Sequence, residues 1–191
     1  MRAALSMALS ALLMATALSG CSGISGIVGG SDSVEVPTWE IGDWWLYTFS
    51  TPDYTDDTAR LVVASVSEEG GTANMLAISS LAEARRHAVL NHNPFLGRMT
   101  HEDLAAFENG VAQTVMDFPL EEGDTWGFTL FSIEWSADVR GVSSNYITMG
   151  ASSADGSKLD YVYDTDAQFF SSFIWTDASD VEQLRMMLAD S

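Results

Sequence analysis

The chain has 191 residues, and its 27 acidic residues against 8 Lys or Arg give a formal net charge of -19 at pH 7. Dispersed acidity favours a soluble monomer and excludes nucleic acid as an expected partner, because phosphate binding needs clustered basic side chains. The hydrophobic content of 47%, with 9 Phe, 6 Trp and 5 Tyr, excludes a disordered chain and suffices for one packed domain.

The first twenty residues have the pattern of a secretory signal. Arg2 is followed by an uncharged and mostly apolar run of sixteen residues, from Ala3 to Leu18. This run is shorter than the roughly 20 residues that a transmembrane helix needs, and it has the length of a signal-peptide core. We therefore expect residues 1–20 to be a signal peptide and the protein to be exported.

The tetrapeptide "LSGC", Leu18 to Cys21, resembles the lipobox of prokaryotic lipoproteins. The resemblance covers residues 1–22. In that family the Cys sulfur receives a diacylglyceryl group and the signal is cut just before it. The resemblance implies lipidation of Cys21, an extracytoplasmic location, and a membrane as partner through the lipid. Cys21 is the only Cys of the chain, so lipidation would consume a thiol that has no disulfide partner.

A flexible tether is expected after the lipidated Cys. The segment "SGISGIVGGSDS" is rich in Gly and Ser, a composition typical of flexible linkers. Residues 21–33 would therefore hold the folded part away from the membrane. We expect a single β-rich domain over residues 34–191.

One sequence motif occurs twice in similar form, as "WEIGDWWLYTF" from Trp39 and as "LEEGDTWGFTL" from Leu120, a constant 81 positions apart. Each copy has a Gly-Asp turn signal followed by alternating apolar residues, which predicts a turn and the first strand of a sheet half. The first strand is apolar on both faces, as a central strand would be, and the second is apolar on one. Internal duplication would explain the repetition, although the rest of the two halves does not align by eye. The shared apolar positions are Trp45, Tyr47 and Phe49 in one copy and Trp126, Phe128 and Leu130 in the other.

Further strands are predicted in both halves. Two β-rich runs, Ala59 to Glu68 and Thr72 to Ser79, flank Gly70-Gly71 and indicate a hairpin. The turn "SSADGSK" indicates another. The tail after Val181 fits a helix or a strand, and a strand is favoured. The strands expected in the second half are Trp126 to Trp135, Asp138 to Val142, Asn145 to Ala151, Leu159 to Asp164 and Phe169 to Trp175.

Two short helices are predicted between the halves. The segment "SLAE" has the order of a capping box and opens a helical run over residues 80–90. In "THEDLAAFENG", Thr100 is the expected N-cap and Asn109-Gly110 the expected C-cap. The expected fold is therefore mainly β (α+β), an antiparallel sandwich or curved half-barrel in two sheet halves, with a two-helix insertion at about residues 80–110.

Two further resemblances concern the folded part. The paired Gly-Asp-x-Trp strands and the acidic composition look like those of uncharacterised cell-surface lipoproteins of archaea or salt-adapted prokaryotes. A curved sheet with helices against it also resembles the lipoprotein carriers that hold an acyl chain. No motif transfers residue by residue.

The sequence contains no catalytic motif of the Gly-x-Ser-x-Gly, HExxH, Walker or GxGxxG type. Its three histidines, His87, His92 and His101, lie within fifteen residues, but their spacing matches no pattern of zinc ligands. We therefore expect no enzymatic activity, no metal and no cofactor.

Candidate ligand-binding residues come from three places. Trp39 and Trp44 are the tryptophans that strand cores do not require, so they are free to line a groove. The loop from Asn91 to Arg98 presents an apolar tip with one cation, and the second helix presents an apolar stripe. The expected ligand-binding residues are Trp39, Trp44, Phe95, Arg98, Leu104 and Phe107.

The expected function is a noncatalytic binding module for an apolar or amphipathic ligand, held on the concave face of the sheet and covered by the helices. The alternative is a structural or interaction protein of the cell envelope, without a small-molecule site. An enzyme of unknown class is a third interpretation.

Overall fold

The computed structural model describes residues 33–54, 57–67, 71–79 and 93–191. Several expected features lie outside the described residues. They are the signal peptide, the Cys21 lipidation site, nearly all of the tether, the first helix, His87 and His92. Among the described residues there is no helix that could cross a membrane.

The described regular structure consists of β-strands, which lie within the unit Ser31–Ser191. The strands are β1 (Trp44–Ser50), β2 (Asp57–Ser67), β3 (Thr72–Ser79), β4 (Gly97–Thr100), β5 (Ala106–Glu108), β6 (Val111–Gln113), β7 (Thr125–Leu130), β8 (Ile133–Val142), β9 (Tyr146–Ser152), β10 (Lys158–Asp164), β11 (Phe169–Thr176) and β12 (Glu182–Asp190).

Ten of these strands form one antiparallel sheet in the order β4-β3-β2-β1-β12-β11-β10-β9-β8-β7. The first and last strands of the chain are therefore neighbours, and their pairing joins a four-stranded and a six-stranded meander. The mainly antiparallel β fold is confirmed. The tail forms strand β12, and the predicted hairpin around Gly70-Gly71 pairs β2 with β3.

Strands β5 and β6 form a separate hairpin between the two edges of the large sheet. β5 contacts edge strand β4, and β6 contacts edge strand β7. Gln113 Oε1 accepts the Thr129 N–H at 2.7 Å, and Glu108 Oε1 accepts the Ser132 N–H at 2.9 Å. Because both edges approach one hairpin, the sheet curves around its inner face.

The repeated sequence motif forms the same turn twice, directly before β1 and directly before β7. Gly42 and Gly123 have φ of 101° and 92°, a conformation that favours glycine. The Asp43 carboxylate accepts the Glu40 N–H at 2.7 Å, and the Asp124 carboxylate accepts the Glu121 N–H at 3.0 Å. The backbone of the turn then pairs with Val63 of β2 in the first copy and with Val139 of β8 in the second. The following strand is central in the first copy, as predicted, and it is an edge strand in the second copy, where the sequence predicted only that one face is apolar.

The equivalence extends beyond the turns. Trp45 pairs with Leu61, and Trp126 pairs with Ala137, in the same register. A β-bulge follows Val63 in β2 and Val139 in β8, and both valines are paired with methionines, Met75 and Met149. The β1-β2-β3 and β7-β8-β9 segments are therefore structural repeats, although few of their residues are identical.

The inner face of the sheet is filled with large side chains, above all aromatic ones. The Tyr47 hydroxyl donates to Phe170 O at 2.6 Å, and the Tyr161 hydroxyl donates to Val115 O at 3.2 Å. Burial raises the pKa of both phenols, so each stays a hydrogen-bond donor. The largest fully buried rings belong to Trp39, Tyr47, Phe49, Phe95, Tyr161, Tyr163, Phe169, Phe170 and Phe173.

The segment predicted to be the second helix is a turn followed by the β5–β6 hairpin, so this prediction is wrong. The Thr100 hydroxyl accepts a backbone N–H within the turn, and Leu104 has φ of 52°, which a right-handed helix does not contain. Asn109 and Gly110, with φ of 51° and 82°, form the two-residue turn of the hairpin. Asn-Gly is favoured both in such turns and as a helix C-cap, because both need positive φ.

The strand boundaries between residues 126 and 142 differ from prediction in two places: the chain turns within the first expected strand, and β8 (Ile133–Val142) is continuous where two separate strands were expected. The expected strand from Trp126 to Trp135 is broken at Phe131 and Ser132, which have φ of 57° and 61° and form the two-residue turn between β7 and β8. Both residues are unusual at positive φ, so the sequence carries no turn signal there.

Candidate binding cleft

An open cleft of about 370 Å³ lies at the start of β1, where the first copy of the repeated turn meets the β10–β11 turn. Gly42, Asp43 and Trp44 line one side. Asp166, Ala167 and Gln168 line the other, and Trp45 and Ser191 complete the lining. We call this site the Trp44 cleft. Its volume lies within the range of about 300–1,000 Å³ that is typical of small-molecule sites.

Two buried indoles attach the two sides of the cleft to each other. Trp45 Nε1 donates to Ala167 O at 2.7 Å, and Trp39 Nε1 donates to Gln168 O at 3.2 Å. The rings of Trp39, Trp45 and Phe169 pack together with centroids 4.9 to 5.0 Å apart. The position of the β10–β11 turn relative to β1 is therefore fixed by packing and by direct hydrogen bonds.

The β10–β11 turn is also held from within. Asp164 Oδ1 accepts the backbone N–H groups of Asp166 and Ala167 at 2.9 and 3.0 Å. Asn145 Nδ2 donates to Asp166 Oδ2 at 2.9 Å, which orients that carboxylate from the β8–β9 loop. The polar wall of the cleft is thus ordered before any ligand binds, which lowers the entropic cost of binding.

Trp44 is the aromatic side chain that the cleft presents to solvent. It is half-buried on the outer face of β1, opposite the face that packs in the core. The Arg60 guanidinium lies over the ring, 4.2 Å from its centroid. This cation–π contact restrains the indole and covers one of its faces.

Three polar side chains of the cleft retain hydrogen-bonding capacity. Asp43 uses one carboxylate oxygen for the Glu40 N–H, and Asp166 uses one for Asn145. The exposed Gln168 carboxamide makes no side-chain hydrogen bond to another described residue. The cleft can therefore accept hydrogen bonds from a ligand at two carboxylates and both donate and accept at one amide.

Of the two tryptophans expected to stand apart from the core, only Trp44 does. Trp39 is 1% exposed, and its ring is enclosed by Trp45 and Phe169. The expectation that Trp39 stands apart from the core is wrong, because the β10–β11 turn, 129 residues later in the chain, accepts a hydrogen bond from its indole. Trp39 supports the wall of the cleft but is not among its lining residues.

The other four residues expected at a ligand site are not among those that line the cleft. Phe95 and Leu104 are fully buried in the core, where Phe95 packs against three Phe rings of β11. Arg98 lies over the ring of half-buried Phe107, 4.1 Å from its centroid. The structure therefore divides the predicted set between the core, this surface pair and the Trp44 cleft.

Sequence reasoning missed Asp166 and Gln168 as cleft residues. Asp164 and Asp166 carry the pattern of a turn, but no local signal connects this turn with the start of β1. The connection arises from the pairing of β1 with β12 and of β12 with β11, which brings the turn beside Trp44.

A second cleft, of about 350 Å³, lies beside edge strand β7. Among the described strands, β7 pairs only with β8. Gln113 fills part of the edge by accepting the Thr129 N–H. The lining residues are Gln113, Gly127, Phe128, Thr129, Glu134 and Trp135.

No protein-family model, curated protein or solved structure matches this chain.

Proposed function

We propose that the protein is a membrane-anchored extracytoplasmic lipoprotein that acts as a noncatalytic binding module for an amphipathic ligand, with the Trp44 cleft as its site. The observation that carries the proposal is a half-exposed indole beside ordered polar groups in a cleft of about 370 Å³. An aromatic surface with a few convergent polar groups is the usual composition of small-molecule sites.

The filled interior supports a site on the outside of the sheet. The inner face was the expected place for an apolar ligand, but Phe169, Phe170 and Phe173 occupy it and are fully buried. Admitting an acyl chain there would require displacing close-packed rings, at a cost typical of core overpacking. The outer cleft needs no such rearrangement.

The composition of the cleft supports binding through hydrogen bonds. Its lining contains two carboxylates, an amide and Ser191, which lies directly after β12. These groups accept hydrogen bonds from a ligand, and the amide and the hydroxyl also donate them. The anchoring part of the proposal rests on "LSGC" and on the single Cys21.

Calorimetric titration with dodecyl maltoside and with dodecylphosphocholine, both below their micelle concentrations, tests the binding proposal. We expect at least one of these amphiphiles to bind, and Trp44→Ala to weaken that binding by about tenfold or more, equivalent to about 1.4 kcal/mol. Tyr146→Ala is the matched control, because Tyr146 is an exposed aromatic residue that does not line the cleft. Equal binding by Trp44→Ala and wild type would contradict the proposal.

A second function, an interaction protein of the cell envelope, is favoured by the edge of β7. Its cleft lies along unpaired backbone, and an extended peptide can add to such an edge as a further strand. Gly127 is exposed there and gives the backbone room to approach. Crosslinking in intact cells from a photoreactive residue at Thr125 would capture this partner, while Trp44→Ala would leave the crosslink unchanged.

A further inference from the structure

We infer that the ligand of the Trp44 cleft is a neutral sugar unit of a glycan or glycolipid. This inference rests on the proposed function and specifies the ligand class of the same site. It combines three observations: a partly exposed indole ring, polar groups that face it across an open cleft, and an acidic surrounding.

The indole matches the apolar face of a pyranose. The C–H groups on one side of a sugar ring form a flat apolar surface that packs on an aromatic ring. Arg60 lies over one face of the Trp44 ring and restrains it, so the indole loses little conformational freedom when a ligand binds. A ring fixed in this way is a better platform than a mobile one.

The opposite wall matches the hydroxyl rim of the sugar. Each hydroxyl donates one hydrogen bond and accepts others, and Asp43, Asp166 and Gln168 together supply both functions. Hydrogen bonds to charged groups are roughly twice as strong as those between neutral groups. Asp166 is already oriented by Asn145 through its other oxygen.

The charges in the cleft select against other ligand classes. Two carboxylates repel phosphate, uronate and other anionic groups. The Arg60 guanidinium already occupies the cation position over the indole, 4.2 Å from the ring centroid, so a quaternary ammonium ligand would have to displace it. An acyl chain alone would leave the carboxylates without partners and would desolvate them.

The cleft is open at the surface, so the sugar unit need not be free. Its lining residues come from loops and a strand start at one end of the sheet, and no described element covers them. A terminal or internal unit of a longer glycan can therefore enter while the rest of the chain remains in solvent. The lining sets the class of the ligand and leaves open which hexose it prefers.

Saturation-transfer NMR and calorimetry on the full-length protein test the inference, with neutral oligosaccharides of glucose, galactose, mannose and N-acetylglucosamine as probes. We expect at least one to bind with a Kd of about 1 mM or tighter, which is the common scale for a single shallow site. Oligogalacturonate, which has the same ring but a carboxylate, should bind at least about tenfold more weakly.

Variants separate the roles of the side chains. Trp44→Ala should abolish sugar binding and Trp44→Phe should retain part of it, because the smaller ring keeps an aromatic face. Asp166→Asn and Gln168→Ala should each weaken binding several-fold, and Tyr146→Ala should leave it unchanged. Unchanged circular dichroism of each variant serves as the folding control.

The outcomes distinguish this inference from the proposed function. Binding of dodecylphosphocholine at Trp44 without binding of any neutral sugar would overturn the sugar assignment and leave the amphiphile-binding module intact. Sugar binding that persists in Trp44→Ala would also overturn the assignment. Absence of binding of sugars and of both amphiphiles would overturn the inference and the proposed function together.

Discussion

Trp39 and Trp44 lie five residues apart, but the fold gives them different environments. Trp39 precedes the alternating segment, so periodicity assigns it to neither face of the sheet. Its burial depends on Phe169 and on Gln168 O, which belong to the far end of the chain. Trp44 is placed correctly by the sequence, because alternation with Trp45 puts it on the outer face of β1.

The burial of Trp39 makes its removal costly. We expect Trp39→Ala to lower the free energy of unfolding by about 3–5 kcal/mol, as for other buried aromatic residues. Trp44→Ala should lower it by much less, since that ring is half-exposed. Urea unfolding of both variants measures the difference, and equal losses would mean that Trp39 does not lie in the core.

Cys21, which lies outside the described residues, is the residue on which the proposed membrane anchor depends. We expect Cys21→Ala to move the protein from the membrane fraction to the soluble or secreted fraction, or to leave it unprocessed, because the two acyl chains of the proposed lipid would supply the anchor. The intact mass of the wild type should show diacylglycerol on Cys21. A mature protein that begins elsewhere without a lipid would contradict this prediction.

The stability of the protein is expected to depend on pH through Asp177, whose pKa is lowered in the folded state. The hydrogen bond from the Val181 N–H lowers its pKa, desolvation opposes this, and the Ser179 N–H and Gln183 Nε2 lower it further. Because the pKa is lower in the folded state, the stabilisation is present above the unfolded value of about 3.9 and is lost as pH falls through the folded value.

Asp177→Asn should therefore be less stable than wild type at neutral pH, and the difference should shrink as the pH falls below about 4. Urea midpoints measured across this range provide the test. Asp117→Asn, at an exposed position without a described hydrogen bond, is the control. A difference that stays constant with pH would show that the charge of Asp177 is not the cause.

At the scale of elements, local patterns predicted the strands well. Alternation gave the inward positions of β1 and β7, and the Gly-Asp turns before them lie where expected. The failure at Asn109-Gly110 has a local cause: one dipeptide with positive φ ends a helix or turns a hairpin equally well. The contacts of β5 with β4 and of β6 with β7 stabilise the hairpin over the helix. Contacts of this kind leave no local signal in the sequence.

The structural equivalence of the two Gly-Asp turns leads to a paired prediction. Gly42→Ala and Gly123→Ala should each destabilise the protein by about 1–2 kcal/mol, because both place a Cβ at positive φ. The space around both positions is open, so the cost is confined to the backbone.

Gly141→Ala is the matched control for the two turns. It lies in β8 at a position that is equally open but has no positive φ, so we expect little change in stability. Chemical denaturation of the three variants tests the equivalence. A large loss at one turn and none at the other would contradict the view that the two copies form the same unit.

At the scale of the whole molecule, the pairing of β1 with β12 creates the candidate site. It places the last strand beside the first, and β11 beyond it brings the β10–β11 turn to Trp44. The sequence predicted the antiparallel sheet and one cleft residue, Trp44. It could not supply Asp166 and Gln168, because the register between distant strands depends on packing of the entire inner face.

The same closure fills the interior of the sheet with aromatic side chains. Rings from both meanders meet on the inner face, as in the contacts of Tyr47 with Phe169 and of Phe95 with Phe170 and Phe173. A sheet curved around its own aromatic side chains gains stability from their burial. Binding is then left to the outer surface, where half-buried Trp44 lines an open cleft.

Calorimetric titration of wild type, Tyr146→Ala and Trp44→Ala with the amphiphiles and neutral oligosaccharides tests this central claim most directly. Wild type and Tyr146→Ala should bind the same ligand with the same affinity, and Trp44→Ala should bind it at least about tenfold more weakly while its urea midpoint stays close to that of wild type. Binding of undiminished affinity by folded Trp44→Ala would place the site elsewhere in the molecule and contradict the account.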